Sequence, residues 1–169
     1  ESKEMPIASW DKFGVPEQLH IILNGLHSFQ AKHKRIPKPL NQDDANELKA
    51  LVKAYNTSKM EIEGEDFKVE EIDEKLIEKV SLFADTQISP CNSFWGGIIT
   101  QEIVKLTGKF TPLRQWLHHD FFETLPDENV TRKVVSDRYY DYRVIFGEEF
   151  VQKAIKSSSF VIGAGALGC

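Results

Sequence analysis

Two cysteines, Cys91 and Cys169, are all that the 169 residues contain. That is too few for a disulfide framework or a four-ligand zinc site, and nothing points to an oxidising compartment. Long apolar runs are also missing. None approaches the roughly 20 residues of a membrane span, and the charged residues 1–6 lead into no apolar signal region. Positive charge is outnumbered, with 21 Lys and Arg against 26 Asp and Glu and a net charge of −5. A general nucleic-acid binder would show the opposite balance. There is no internal repeat and no low-complexity tract. The sequence also lacks an initiator Met and stops inside a motif, so the expectation is a fragment of something longer.

The apolar content is 41%, enough for a folded core, and the length suits one domain or parts of two. A first helix is expected over about 16–34. Pro16 sits in its first turn, and Leu19, Ile22, Leu23, Leu26 and Phe29 lie on one face. The basic cluster Lys32, His33, Lys34 and Arg35 ends it, complementing the helix dipole, before Pro37 and Pro39 break the chain. A second helix is expected over 43–55, with Ala45, Leu48, Leu51, Val52 and Tyr55 inward and Asn41 or Asp43 as cap. Residues 56–70 read as a charged loop. A third helix over 71–84 turns Ile72, Leu76, Val80 and Phe83 inward.

A fourth helix, 92–106, begins with the almost wholly apolar run Phe94-Trp95-Gly96-Gly97-Ile98-Ile99. Without a polar face it should be buried on all sides. Its paired glycines, costly in a helix, suggest close approach by another backbone, and Gly108 can end it. Residues 112–122 then read as one strand or two short ones, and 126–133 as a polar linker. Short helices over 138–146 and 148–156 flank Gly147, and Ser157 to Ser159 form a turn. Phe160-Val161-Ile162 reads as a short apolar strand.

That strand runs straight into Gly163-Ala164-Gly165-Ala166-Leu167-Gly168, which fits G-x-G-x-x-G. Such glycines permit a tight turn, let backbone approach phosphate and let a following helix pack on the strand. The anion would then sit at that helix's positive N-terminus. The helix and the acidic residue expected about 20 positions later fall beyond Cys169. Locally the motif does not separate NAD from ATP, so a dehydrogenase stays open, as does a tight turn with no ligand.

Several segments, in order, resemble the ubiquitin-activating (E1) enzyme family. The run from Asn41 to Leu48 looks like its second bundle helix. The run Gly96-Gly97-Ile98-Ile99-Thr100-Gln101-Glu102-Ile103-Val104-Lys105 resembles its F-G-G-x-x-x-Q-E-V-x-K helix. Gly108-Lys109-Phe110-Thr111-Pro112-Leu113-Arg114-Gln115-Trp116 resembles its G-K-F-T-P-x-x-Q segment, followed by a match at Glu123-Thr124-Leu125-Pro126. Arg138-Tyr139, the run Val144 to Gly147, Phe150, Gln152, Lys153, and Val161 to Cys169 are similar to the start of the family's active adenylation half. One departure stands out: where relatives show R-Y-D-x-Q, Tyr140 takes the Asp position.

The resemblance implies a mainly α chain: a four-helix bundle followed by a truncated α/β segment of the Rossmann-like, ThiF-type adenylation class. Residues 1–88 would be the bundle insert, 89–133 would close the inactive adenylation half, and 134–169 would open the active half. The parent would use ATP and Mg²⁺ to activate the C-terminal carboxylate of ubiquitin as an acyl-adenylate, by attack on the α-phosphate with pyrophosphate leaving. A cysteine in another domain would then take the acyl group as a thioester, for transfer to conjugating enzymes (E2). Gly163, Gly165, Ala166 and Gly168 would face the nucleotide. The catalytic cysteine and the ATP-contacting arginine finger would lie outside this chain, so the fragment alone would be inactive. The implied setting is cytoplasmic and nuclear.

Other residues favour blander roles. Cys91 and Cys169 read as packing thiols. His20 and His27, seven apart, lack metal-ligand spacing. His118 and His119, if in a strand, point to opposite faces and cannot share a ligand. Residues 61–79 hold nine acidic and three basic side chains, a solvated face or the contact surface of a helical interaction module with no nucleotide role. Trp95 and Trp116 read as core and Trp10 as an anchor. The run 160–162, lacking native neighbours, is expected to pair or pack against another chain or a neighbouring surface; a free, solvated tail would contradict that.

Overall fold

The computed structural model describes residues 12–63, 69–114, 116–126, 130–132 and 135–165. The chain divides into two compact units, 1–124 and 125–169.

The first unit carries α1 (Val15–His33), α2 (Gln42–Glu63), α3 (Glu74–Phe83) and α4 (Ser89–Lys105). Its core is drawn from the first three. Ile21, Ile22 and Phe29 of α1 meet Leu48 and Val52 of α2 and Ile77 of α3. Leu26, Leu51, Tyr55, Leu76 and Val80 pack around them. Ile21 and Ile77, absent from the expected stripes, are core, whereas Leu23 faces outward. The two helix axes come close at Gly25, where an added Cβ would lie 2.5 Å from Val52 Cγ2 and 3.4 Å from Val52 Cα.

Polar contacts tie the same helices together. The basic end of α1 reaches across to α2. Lys32 and His33 bind the Glu47 carboxylate at 2.6 and 2.7 Å. Arg35 donates two hydrogen bonds to buried Asp44, at 2.6 and 2.9 Å, and the Lys38 N–H adds a third at 2.8 Å. The Asp44 N–H in turn donates to Asn41 Oδ1 at 3.0 Å. These donors, with Arg35 foremost, hold the Asp44 carboxyl down at about 2. Buried Asn56 clasps the backbone of Val69, donating to its carbonyl and accepting from its N–H at 2.8 and 3.1 Å. Asp73 caps α3 by accepting from Leu76 N–H.

Several expectations are corrected. Residues 56–63 continue α2 rather than forming a loop, because Asn56 finds its partner in the return segment and need not break the helix. No residue of α4 is buried. Its apolar side chains are spread around the axis, so one neighbour cannot sequester them; Phe94, Ile99, Ile103 and Val104 are exposed. Nor, among the described residues, does another backbone approach its glycines: a Cβ at Gly96 or Gly97 would meet nothing within 4 Å. Finally, the described residues contain no strand, and a single extended segment without a ladder partner leaves its backbone groups to solvent. This removes the strands read at 112–122 and 160–162. Within the chain, 160–162 is an exposed tail, with Phe160 at 90% and Ile162 at 89% accessibility, against the packing expected of it. Trp116 is exposed rather than core; Trp95 is half-buried, and Trp10 lies outside the described residues.

The second unit holds α5 (Tyr140–Phe146) and α6 (Glu148–Lys156), joined through Gly147. Among the described residues no helix is long and apolar enough to cross a membrane.

Two outcomes follow from the bundle. Gly25→Ala should lower stability by about 1–3 kcal/mol because the methyl overpacks against Val52, although Ala is the better helix former. Gly96→Ala, in open helix, should raise it by about 0.5–1 kcal/mol. Urea midpoints should therefore move in opposite directions. Asp44 is depressed in the folded state, so its stabilisation is full above its ordinary 3.8 and is lost as pH falls toward about 2. Acid denaturation of Asp44→Asn should show less loss across that window than the wild type.

Candidate functional site

The glycine run emerges from α6. That helix ends at Ser157, whose N–H and hydroxyl both donate to the Ala154 carbonyl, at 3.2 and 2.7 Å. Gly163 adopts φ 94°, a left-handed conformation that a Cβ would strain. A Cβ at Gly163 or Gly165 would meet nothing within 4 Å. The bare backbone that phosphate contact requires is therefore present, but the described residues build no wall around it. Ala166 and Gly168 lie outside the described residues.

What precedes the run is better fixed. α5 and α6 turn on Arg143, whose side chain is buried. Its Nε donates to Glu148 Oε2 at 2.6 Å and its Nη1 donates to Asp137 Oδ1. The Asp137 carboxylate, then Glu148, raises the Arg143 pKa, and Arg143 holds Asp137 below the usual carboxylate range. The guanidinium also lies 6.0 Å from the Tyr139 ring centroid. Tyr140 opens α5, whose N-cap Tyr139 makes no side-chain cap; the acids at this corner are Asp137, three positions before Tyr140, and Glu148. Gly147 makes the corner possible, with φ 86°. A Cβ there would fall 2.1 Å from Val130 Cγ1 and 3.1 Å from the Thr131 carbonyl.

In the first unit, two stretches of the resemblance touch. Glu102 of α4 accepts from the Leu113 N–H at 2.9 Å and from Lys105 Nζ at 2.5 Å. The Gln-Glu step of the helix thus anchors the Gly108–Leu113 loop behind it. Gly108 turns that loop at φ 84°, and Lys109 lies 5.5 Å from the Phe110 ring centroid. The role of Glu102 went unread in the sequence. Its one signal was a carboxylate set between Gln101 and an apolar pair, near a loop rich in backbone donors.

His118 and His119 diverge as expected, though without a strand. His118 is buried against His20 of α1, with ring centroids 5.3 Å apart. His119 stacks on Phe94 of α4 at 5.0 Å. His27 is exposed. Among the described residues no group of three or more His, Cys, Asp or Glu could hold a metal. Cys91 is half-buried, and burial pushes its thiol pKa up, away from the thiolate a nucleophile needs. Cys169 lies outside the described residues. Gly147→Ala should unfold the second unit's corner: strain at positive φ alone costs about 1–3 kcal/mol, and the clash adds to it. Limited proteolysis should then cut α5 and α6 while leaving α1–α3 intact.

Comparison with known proteins gives a consistent picture. The family profile described as the ubiquitin-activating enzyme E1 four-helix bundle matches residues 1–56. The human protein named ubiquitin-like modifier-activating enzyme 1 is 37% identical over 172 aligned residues, covering 96% of this chain and 16% of its own length. The mouse protein of the same name is 40% identical, over 94% of this chain and 15% of its own length. Ubiquitin-activating enzyme E1 1 of Candida albicans is 36% identical, over 98% of this chain and 17% of its own. The chain therefore belongs with the ubiquitin-activating enzymes, as the counterpart of a stretch that makes up 15–17% of their length.

Proposed function

We propose that the chain is part of an ATP-dependent ligase that adenylates the C-terminus of ubiquitin and then carries it as a thioester. The observation that carries this reading is the identity of 36–40% along nearly the whole chain to proteins named for ubiquitin or ubiquitin-like activation. In the proposed parent, ubiquitin and E2 conjugating enzymes are the partners, and the setting is cytoplasmic and nuclear. Residues 1–88 act as the bundle insert, 89–133 as the close of the inactive adenylation half and 134–169 as the opening of the active half.

The backbone of Gly163, Gly165, Ala166 and Gly168 is the phosphate-facing element of this proposal. The left-handed φ and open surroundings of Gly163 support it, since N–H groups free of a side chain can approach an anion closely. ATP would supply an electrophilic phosphorus there. Mg²⁺ would be held by groups other than a cluster among the described residues. The transfer itself is governed by positioning and by stabilisation of phosphate charge. On this reading the 169 residues alone are incompetent, because the described residues set no wall around the glycine run.

A helical interaction module, with no nucleotide role, is the rival reading, resting on the acidic stretch 61–79. Glu74 and Glu78 of that stretch are engaged within the unit, by Lys53 at 2.5 Å and Lys49 at 2.9 Å. Their charge is offset locally, which leaves the acidic surface weaker than its sequence suggests.

Isothermal titration decides between these readings. The 169-residue chain should show no tight ATP binding. A chain carrying about 40 further residues of the parent gene, long enough for the helix and the ribose-binding acid, should bind. Tight ATP binding by the 169 residues would overturn the claim that they are incompetent alone, and no binding by the longer chain would overturn the nucleotide assignment.

A further inference from the structure

His118 is 5% accessible, and among the described residues neither of its ring nitrogens has a hydrogen-bond partner. A buried imidazole normally satisfies at least one nitrogen. This one sits in an aromatic nest instead. Its ring meets His20 of α1 edge-on at 86°, and Trp116 lies 6.4 Å away, itself 6.1 Å from His20. The next residue faces the other way: His119 stacks on Phe94 and meets Phe121 edge-on at 4.7 Å. Residues 116–121 therefore form a clasp with one histidine on α1 and the other on α4.

A charge on His118 would be desolvated and set against His20, with no hydrogen-bond partner among the described residues. His119 is half-buried against Phe94. The charged groups around the clasp do not relieve His118. His20 is the titratable side chain facing it from α1. On its own segment, Asp120 is bound by Lys12 at 3.2 Å, and Lys12 also holds Glu123 at 2.8 Å.

We propose that His118 makes the docking of residues 116–121 on α1 pH-sensitive, so that proton uptake in mildly acidic solution releases the clasp from α1 while His119 keeps it on α4. Burial, and then His20, push the His118 pKa below its ordinary value. The sign follows: the free segment takes up the proton more readily than the docked one, so docking is strongest above the ordinary histidine pKa and weakens as pH falls through it.

Hydrogen exchange of the 169-residue chain, corrected for intrinsic rates, tests this between pH 7.5 and 5.5. Protection of the Phe122 and Thr124 amides, which donate to Asp120 Oδ1 and to the Phe121 carbonyl, should fall by up to about tenfold per pH unit, the limit for uptake of one proton. Protection in α2 should stay constant. In His118→Leu, which keeps an apolar body in the nest, the fall should vanish; in His119→Phe it should persist. Protection that does not change with pH, or an equal fall in His118→Leu, would overturn the proposal. Should His118→Leu fail to fold, NMR titration of the wild-type imidazoles decides. His118 titrating below the ordinary histidine value of 6.5 supports the clasp, and His118 titrating at or above it overturns the proposal.

Discussion

The approach of α1 to α2 at Gly25 and Val52 is the constraint on which the first unit depends. With no side chain at Gly25, the helices close until Ile22 and Phe29 seat against Leu48 and Val52. Ile77 of α3 then completes a dry centre. Close packing of this kind tolerates neither a void nor an added methyl. The ion pairs at the helix ends take their geometry from it. Arg35 reaches Asp44 with both terminal guanidinium nitrogens, and Lys32 and His33 share Glu47, because the helices already stand at that distance.

Beyond this centre the molecule is held by polar and aromatic devices, each serving one joint. Glu102 fastens the loop behind α4, and Asn56 fastens the return from α2 to α3. The two histidines of the clasp fasten residues 116–121 to different helices. In the second unit, Arg143 gathers Asp137 and Glu148 at the corner that Gly147 allows. α4 shows what happens where no such centre exists. Its apolar residues circle the axis, and among the described residues no surface encloses them.

Much of the helical layout was legible beforehand, for local reasons. α1 begins one residue from where Pro16 places it, and α6 spans the expected residues because Gly147 and the serines punctuate it. Ala45, Leu48 and Val52 lie inward as their spacing requires. The errors share a different cause. The length of α2, the exposure of α4 and the missing strands all depend on partners distant in sequence: Val69 for Asn56, a covering surface for α4, a neighbouring ladder for 112–122 and 160–162. Hydrophobic pattern records how a segment wishes to bury itself, not whether anything is there to bury it.

The glycine run divides the same way. Sequence alone determined that Gly163 and Gly165 can take conformations closed to other residues, and the ordered motifs determined the family, since both are properties of residue identity and spacing. Tertiary structure alone decided that Gly163 stands at positive φ without walls, that Glu102 joins two motifs, and that His118 and His119 grip different helices. Those facts depend on which surfaces meet, and no one-dimensional pattern carries that information.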